Sequence, residues 1–354
     1  MKRFLSVCVL LLLLVPAACA GASERFSVVY TDTFDTVISL VGFADSQQKF
    51  DEISALAHST YQHLHRLYDR YNEYEDVLSL CAVNRLAKEG PVEVDPLLFS
   101  LLSFAKSQYS LGQGQTNVAL GRVLSLWHVK REAGLADPGK AQLPEMDALK
   151  EAALHCSIED LVLDPEHFTV AFADPEMELD VGAVAKGYAT EVVARLLEAA
   201  GMSSYVLSAG GNVRIGHPPL DGRPNWAVGL QTPDGSVADT DIVDTLYLSD
   251  CSVVTSGDYQ RYYEVDGKRY CHLIDPDTLM PGEYFRSVTI ITVDSGLADF
   301  LSTAAFLMPY SESRAFVESL PDVEAVWLMP DGQELMTEGI RKSAKSQGAV
   351  NKRK

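Results

Sequence analysis

A carboxylate and a hydroxyl lie four residues apart in the run G-L-A-D-F-L-S-T-A-A-F over 296–306. Asp299 and Thr303 therefore share one face of an otherwise apolar predicted helix. Oxygen ligands of this kind suit a hard cation such as Mg²⁺, which keeps water ligands and bridges substrate phosphates. Taken alone, the pair fits hydrogen bonding within a protein core at least as well.

A histidine follows a predicted hairpin, E-V-D-G-K-R-Y, whose Asp266-Gly267 turn fits a type I′ loop. His272 opens the run H-L-I-D-P and stands near Asp275. Such a histidine could orient a nucleophile or take its proton, because histidine titrates near neutral pH. A lone histidine is often structural, so this residue defines no activity by itself.

Two glycine-rich turns could bring the backbone close to a phosphate. They are D-V-G-A-V-A-K-G-Y over 180–188, which precedes a predicted helix, and S-A-G-G-N-V over 208–213, which follows an apolar strand. The first is not a P-loop, because its G-x-x-x-x-G ends in Tyr188. Both turns could serve packing alone. The G-x-G at 112–114 lacks a third glycine and follows a predicted helix, which excludes a Rossmann fingerprint.

The elements that must position these residues are helices mixed with short strands. Hydrophobic periodicity predicts helices over 46–69, 96–111, 145–156, 184–200, 297–308 and 311–319. Alternating or β-branched runs predict strands over 26–41, 168–173, 204–208, 226–231, 245–248, 252–255, 288–293 and 324–328. Because no regular βαβ alternation is present, the sequence predicts an α+β fold with mixed or antiparallel sheets flanked by helices.

The N-terminus carries an export signal, since Lys2 and Arg3 precede an apolar run over 4–15 that is followed by small residues. That run is shorter than the roughly 20 residues of a membrane-spanning helix. P-A-A-C over 16–19 resembles a bacterial lipobox and predicts lipid attachment at Cys19. Ala18-Cys19-Ala20 also fits the A-x-A pattern of ordinary signal peptidase, so simple cleavage stays open.

The predicted organisation is a signal peptide over 1–18, a tether over 19–25, one domain over 26–340 and a basic, disordered tail over 341–354. A net charge of −20 over 354 residues disfavours an extended nucleic-acid surface, so no nucleic-acid partner is expected. Outside the leader, four cysteines without a C-x-x-C pair argue against zinc. They could form disulfides or stay buried thiols: Cys81, Cys156, Cys251 and Cys271.

Five motifs occur in an order that resembles the ApbE family of FAD:protein FMN transferases. They are D-V-G-A-V-A-K-G-Y-A, A-G-G-N, T-S-G-D-Y-x-R-Y-Y, H-L-I-D-P-x-T and A-D-x-L-S-T, and the similarity runs from Phe34 to Met308. The resemblance implies an ApbE-like, T-fold-related catalytic unit. It also implies transfer of FMN from FAD, through a phosphoester bond, to a Thr or Ser of an acceptor protein with release of AMP.

The resemblance further implies roles for individual residues. Mg²⁺ is expected as the cofactor, held by the Asp299 carboxylate, the Thr303 hydroxyl and the Ala183 carbonyl, with Ser302 near them. His272 is expected to orient or deprotonate the acceptor hydroxyl, and Asp299 is the second catalytic candidate. The substrate FAD is expected to contact Phe34, Tyr71, Gln115, Thr116, Asn117, Asp180, Lys186 and Ile274.

The chain departs from the common family pattern at two motifs. Phe34-Asp35-Thr36 stands where the family commonly reads M-G-T, and Asn117 replaces an acidic residue. Asn117 is expected to keep hydrogen bonds with the ligand but carries no charge.

The resemblance also implies partners, namely flavin-carrying subunits of Rnf-type or sodium-pumping NADH:quinone reductase complexes outside the cytoplasm. An exported enzyme attached to the membrane through Cys19 would meet them there. Two alternatives stay open: an FAD pyrophosphatase that yields free FMN and AMP, and a lipoprotein that binds FAD without chemistry.

Overall fold

An α+β architecture is built around one long antiparallel sheet, as seen in a computed structural model that describes residues 23–233 and 242–353. The predicted fold class is confirmed. The strands are β1 (Glu24–Thr33), β2 (Thr36–Ala44), β3 (Val92–Glu93), β4 (Leu161–Asp164), β5 (Thr169–Phe172), β6 (Tyr205–Ala209), β7 (Asn212–Ile215), β8 (Trp226–Gln231), β9 (Ile242–Leu248), β10 (Cys251–Gly257), β11 (Tyr262–Val265), β12 (Lys268–Cys271), β13 (Ser287–Thr292), β14 (Glu324–Leu328) and β15 (Glu334–Met336).

The helices cover the sheet and cap its edges. They are α1 (Gln47–Tyr68), α2 (Leu80–Leu86), α3 (Pro96–Gln108), α4 (Gly121–Ala136), α5 (Met146–Ala153), α6 (Ala185–Ala199), α7 (Ser295–Leu307), α8 (Tyr310–Glu318) and α9 (Glu338–Arg341). The eight-stranded sheet has the order β1-β2-β6-β7-β10-β13-β14-β15. Two smaller sheets each have two strands, β11 with β12 and β8 with β9. A further sheet has three strands in the order β3-β5-β4.

Tight turns with left-handed backbone join several of the antiparallel pairs. The predicted hairpin β11–β12 is confirmed, with φ of 50° at Asp266 and 77° at Gly267, as a type I′ turn requires. Gly210 and Gly211, at φ of 54° and 93°, join β6 to β7. A Cβ at Gly210 would lie 2.2 Å from Oγ1 of Thr36, so this turn packs against the β1–β2 loop.

The main core lies between the sheet and helices α1, α6 and α7. Ser46 caps α1 by accepting from the Lys49 N–H, and the helix buries most of its apolar face, although Leu56 is exposed. Helix α7 is buried along almost its whole length, including the polar residues Asp299 and Thr303. Because buried polar groups need partners, this helix is a candidate site.

A separate apolar cluster joins α4, α5 and the β11–β12 hairpin. Trp127 of α4 donates from its indole N–H to the Leu279 carbonyl at 3.0 Å, and Tyr263 donates to the Gln142 carbonyl at 3.1 Å. These contacts hold α4 and the hairpin as one wall that faces the main core across a cavity.

Several elements were absent from the sequence prediction, namely α2, α4 and α9 and the short strands β3, β4, β7 and β15. Helix α4 escaped detection because it carries no single apolar stripe. Val123 packs into the apolar cluster, Leu124 and Trp127 contribute to both the cluster and the cavity, and the polar His128 and Arg131 line the cavity.

The C-terminal tail is not disordered over its described part, 341–353, which corrects the sequence prediction. Ala344 is fully buried and bridges to Leu246 of β9. Ser346 donates to the buried Asp244 carboxylate at 2.6 Å. The basic composition suggested solvation, but these backbone and hydroxyl contacts dock the tail on β9.

The predicted signal peptide and Cys19 lie outside the described residues. Within the described ranges, every helix is too short or too polar to cross a bilayer. The four cysteines there are free thiols, so the disulfide alternative is not adopted: Cys81, Cys156, Cys251 and Cys271.

Candidate active site

One cavity of about 1070 Å³ lies between the α4–hairpin wall and the α6–α7 side of the main core. Its volume is at the upper end of small-molecule sites, which suits a ligand as long as a dinucleotide. With the exception of Ser302, every predicted site residue lines it: Phe34, Tyr71, Gln115, Thr116, Asn117, Asp180, Ala183, Lys186, His272, Ile274, Asp299 and Thr303.

Asp299 lies where α6 crosses α7. The Gly187 N–H, in the first turn of α6, donates to Oδ2 of Asp299 at 2.7 Å, and Nζ of Lys186 is 4.0 Å from the same oxygen. The Asn212 amide, oriented with its nitrogen toward Asp299, donates to both carboxylate oxygens at 3.2 and 3.3 Å. Burial raises the pKa of Asp299, while Lys186 and the Gly187 N–H act in the opposite direction.

The hydroxyls beside Asp299 have different surroundings. Thr303 follows one turn later and lines the cavity, 3.5 Å from Oγ of Ser256 on β10. Ser302 is fully buried within α7. Its hydroxyl bonds to the Ser256 hydroxyl at 2.8 Å and to the Asp299 carbonyl at 2.9 Å. Ser302 therefore does not line the cavity itself but contacts Ser256, which does, and its predicted place near the metal ligands stays a prediction.

The fit to a metal ion depends on the type of donor. Among residues 23–233 and 242–353, no group of three or more His, Cys, Asp or Glu side chains could hold a metal. Around the α6–α7 crossing the cavity lining offers the Asp299 carboxylate, the Thr303 hydroxyl and the backbone at Ala183. Such hard oxygen donors fit Mg²⁺, which binds through one or two carboxylates and completes its shell with substrate phosphates and water.

His272 directly follows β12 and has one ring nitrogen committed to the backbone. Its Nδ1 lies 3.1 Å from the Arg261 carbonyl oxygen, which also accepts from the His272 N–H at 3.0 Å. A carbonyl oxygen only accepts, so Nδ1 carries the proton and Nε2 keeps the lone pair. Burial, together with the charges of Arg261 and Lys186, lowers the pKa of His272 to about 3.

Asp275, the carboxylate near His272 in the sequence, bonds to the turn that follows it. Its Oδ1 accepts from the backbone N–H groups of Asp277 and Thr278, at 2.8 and 3.3 Å. Asp275 therefore shapes the following turn, and the Arg261 carbonyl fixes the histidine ring instead.

The predicted FAD contacts at Phe34 and Tyr71 lie on loops at the cavity rim. Phe34 adopts a left-handed φ of 55° and donates its N–H to Nδ1 of His65 at 3.2 Å. Tyr71 leaves 56% of its surface exposed and stacks on His128 of α4, with ring centroids 4.6 Å apart. An exposed aromatic ring at a cavity mouth can stack on a planar ligand ring.

Residues 115–117 also line the cavity, and the Asn117 side chain bonds to the backbone of the protein. Its amide oxygen accepts from the Ala119 N–H and its amide nitrogen donates to the Cys156 carbonyl, both at 2.9 Å. These two bonds orient the Asn117 amide and use one of its two N–H donors, and its contact with FAD stays a prediction. Oε1 of Gln115 is buried without a partner among the described residues.

Comparison with known proteins identifies the family. The profile of the ApbE family matches residues 34–327, which is most of the chain. The chain belongs to the ApbE family. The matched region includes all the predicted site residues.

Curated relatives are similar over most of their own length. A FAD:protein FMN transferase of Treponema pallidum (strain Nichols) is 35% identical over 278 residues, covering 75% of this chain and 74% of the relative. Another of that name from Klebsiella pneumoniae (strain 342) is 30% identical, covering 74% and 81%. A solved ApbE structure from Thermotoga maritima has a TM-score of 0.78 at 27% identity, covering 90% of this chain and 99% of that chain.

The solved flavin transferase ApbE from Vibrio cholerae has a TM-score of 0.71 at 23% identity, covering 91% of this chain and 99% of that chain, and supports the fold alone.

The cavity residues of this ApbE chain that the sequence analysis missed include Arg70, His128 and Arg131. Two of them lie on the undetected α4. Arg131 donates to Nδ1 of His128 at 2.9 Å and so holds the ring that stacks on Tyr71. Arg70 precedes the predicted contact Tyr71, and this adjacency was the only sequence signal available for it.

Proposed function

We propose that this chain is an FAD:protein FMN transferase that uses Mg²⁺ and modifies a Thr or Ser hydroxyl. The observation that carries the proposal is that His272, Lys186 and Asp299 line one cavity of dinucleotide size. Support also comes from relatives with that name, which are 35% and 30% identical over about three quarters or more of their length.

The reaction would exchange a phosphoanhydride bond of FAD for a phosphoester bond on the acceptor. The acceptor hydroxyl oxygen forms a bond to the phosphorus of the FMN half, and the pyrophosphate bond to the AMP half breaks. The hydroxyl proton passes to Nε2 of His272, which is free to accept it because Nδ1 is held by the Arg261 carbonyl. AMP leaves with the electron pair of the broken bond.

Charge near the phosphates would come from the α6–α7 crossing. Lys186 supplies a positive charge on the cavity wall, and Asp299 and Thr303 would hold the cation together with the Ala183 carbonyl. When bound, Mg²⁺ would neutralise and orient the pyrophosphate oxygens. Positioning and electrostatics account for most of the catalysis in this reaction class.

The proposal extends to location and partners. The apolar leader over 4–15 and the P-A-A-C run support export and lipid attachment at Cys19. The acceptor would be an extracytoplasmic flavin-carrying subunit of a membrane redox complex, of the Rnf or sodium-pumping NADH:quinone reductase type.

The direct test is to incubate the leaderless protein with FAD, Mg²⁺ and such an acceptor domain, and to measure the acceptor by intact mass. Addition of one FMN unit supports the transferase. Free FMN with an unmodified acceptor would identify a pyrophosphatase, and bound FAD without any product would identify a carrier.

A further inference from the structure

Arg70 is a buried cation at the cavity wall whose contacts join three segments of the chain. It lies two residues after α1, and its side chain is only 9% exposed. Nη1 donates to Asp180 at 2.6 Å, and Nη2 donates to Ser125 at 2.7 Å and to Glu178 at 3.3 Å. Both nitrogens also reach the Gly121 carbonyl, at 3.3 and 3.4 Å.

The charges in this group do not balance. One guanidinium faces two carboxylates, Asp180 and Glu178, whose side chains are 13% and 30% exposed. Without Arg70, Asp180 in the cavity lining and the nearby Glu178 would both lack a cation, next to a cavity that must accept an anionic pyrophosphate. Repulsion between like charges is stronger in such a partly buried site than in water. Nε of Arg70 is buried and has no hydrogen-bond partner among the described residues.

We propose that Arg70 is a positioning residue that fixes the Asp180 carboxylate and offsets the negative charge of Asp180 and Glu178, so that the wall accepts the substrate's phosphates. This inference rests on the proposed function, because it takes FAD as the ligand. It also implies that Glu178 weakens FAD binding, since Glu178 adds a negative charge that Arg70 only partly balances.

The charge role and a merely structural role predict opposite results at Glu178. Glu178→Gln removes one negative charge and keeps a side chain that can accept from Ser125 and Arg70. If Arg70 acts through charge, this variant binds FAD more tightly, by about two- to threefold. If the group is only a structural clamp, weakening the Arg70–Glu178 contact leaves FAD binding unchanged or weakens it.

The experiment is a fluorescence titration of FAD on the full mature chain without acceptor, at low salt and at roughly 0.5 M salt. Arg70→Met is expected to raise the Kd of FAD by about tenfold, because it leaves two carboxylates uncompensated. Arg70→Lys keeps the charge but loses the fork geometry, so its Kd should fall between those of the parent and Arg70→Met. High salt should reduce the difference in Kd between each variant and the parent.

The matched control is the neighbouring pair Arg122–Glu176, which does not line the cavity. Arg122→Met and Glu176→Gln should leave the Kd of FAD within about twofold of the parent. Tm measurements identify any variant that fails to fold. If Arg70→Met is such a variant, Glu178→Gln alone decides the question.

A Glu178→Gln chain that binds FAD no more tightly than the parent would overturn the inference, as would a folded Arg70→Met chain with the parental Kd. Failure of the proposed function looks different. In that case FAD binding changes in the predicted order, but no flavin is transferred to the acceptor.

Discussion

The backbone N–H of Gly187 donates a 2.7 Å hydrogen bond to Oδ2 of Asp299 across the contact between α6 and α7. A Cβ at Gly187 would lie 2.3 Å from Cβ of Asp299 and 2.4 Å from the Ser295 carbonyl oxygen. The two helices can therefore approach this closely only with glycine at that position. The position of Asp299, the predicted metal ligand, therefore depends on the lack of a side chain at Gly187 of the neighbouring helix.

Gly187→Ala should accordingly push α6 away from α7 and disturb Asp299. Overpacking of this kind costs about 1–3 kcal/mol of stability, and flavin transfer should fall more steeply than stability because the carboxylate moves. Thermal unfolding and the transfer rate below the Tm measure the two effects. Gly139→Ala is the control, since its Cβ would meet no atom closer than 3.5 Å. A Gly187→Ala enzyme with parental Tm and rate would contradict this packing argument.

The protonation state of His272 leads to a pH prediction. Because burial and the nearby Arg261 and Lys186 lower the pKa of His272 to about 3, the imidazole is neutral above pH 5. As pH falls from 9 to 5, kcat should show no loss from protonation of this histidine. His272→Gln should lower kcat by about 10²–10⁴-fold to a similar extent at pH 6 and pH 8.

The measurement is kcat against pH for the parent and His272→Gln. An inflection near pH 6.5 that is present in the parent and absent from the variant would refute the lowered pKa. Full activity of His272→Ala between pH 6 and 9 would remove the proposed role of His272 altogether.

The sequence located most of the cavity because the motifs around Asp180, His272 and Asp299 are local and their order is specific. It could not locate α4, since half of that helix faces a polar cavity and its apolar residues form no stripe. The sequence also could not show that the side chains of Asn117 and Asp275 make short-range bonds to the backbone, because only the folded chain reveals those bonds. The docking of the C-terminal tail was missed because it, too, depends on contacts that form only in the folded chain.

Thr303 and Ser302 are adjacent, yet only Thr303 lines the cavity, which allows a paired test of the cation site. Thr303→Val should raise the Mg²⁺ concentration needed for half-maximal transfer, by about tenfold, because it removes one oxygen ligand. Ser302→Ala removes hydrogen bonds to Ser256 and the Asp299 carbonyl and should lower the Tm instead. The assignment fails if Ser302→Ala shifts the Mg²⁺ requirement and Thr303→Val does not.

The docked tail should contribute to stability. Deleting residues 342–354 removes the Ser346 bonds to the buried Asp244 and exposes Leu246, so unfolding free energy should fall by about 1–3 kcal/mol. Differential scanning calorimetry measures the change, and deletion of the last three residues is the control. An unchanged Tm for the longer deletion would indicate that these contacts are dispensable.

The central claim is that one site splits FAD and passes the FMN half to a protein hydroxyl. The most direct measurement is the ratio of AMP released to flavin bound covalently to the acceptor, obtained by chromatography and intact mass in the same reaction. The account predicts one AMP for each acceptor-bound FMN and neither product from Asp299→Asn. AMP and free FMN in equal amounts, with the acceptor unmodified, would contradict it.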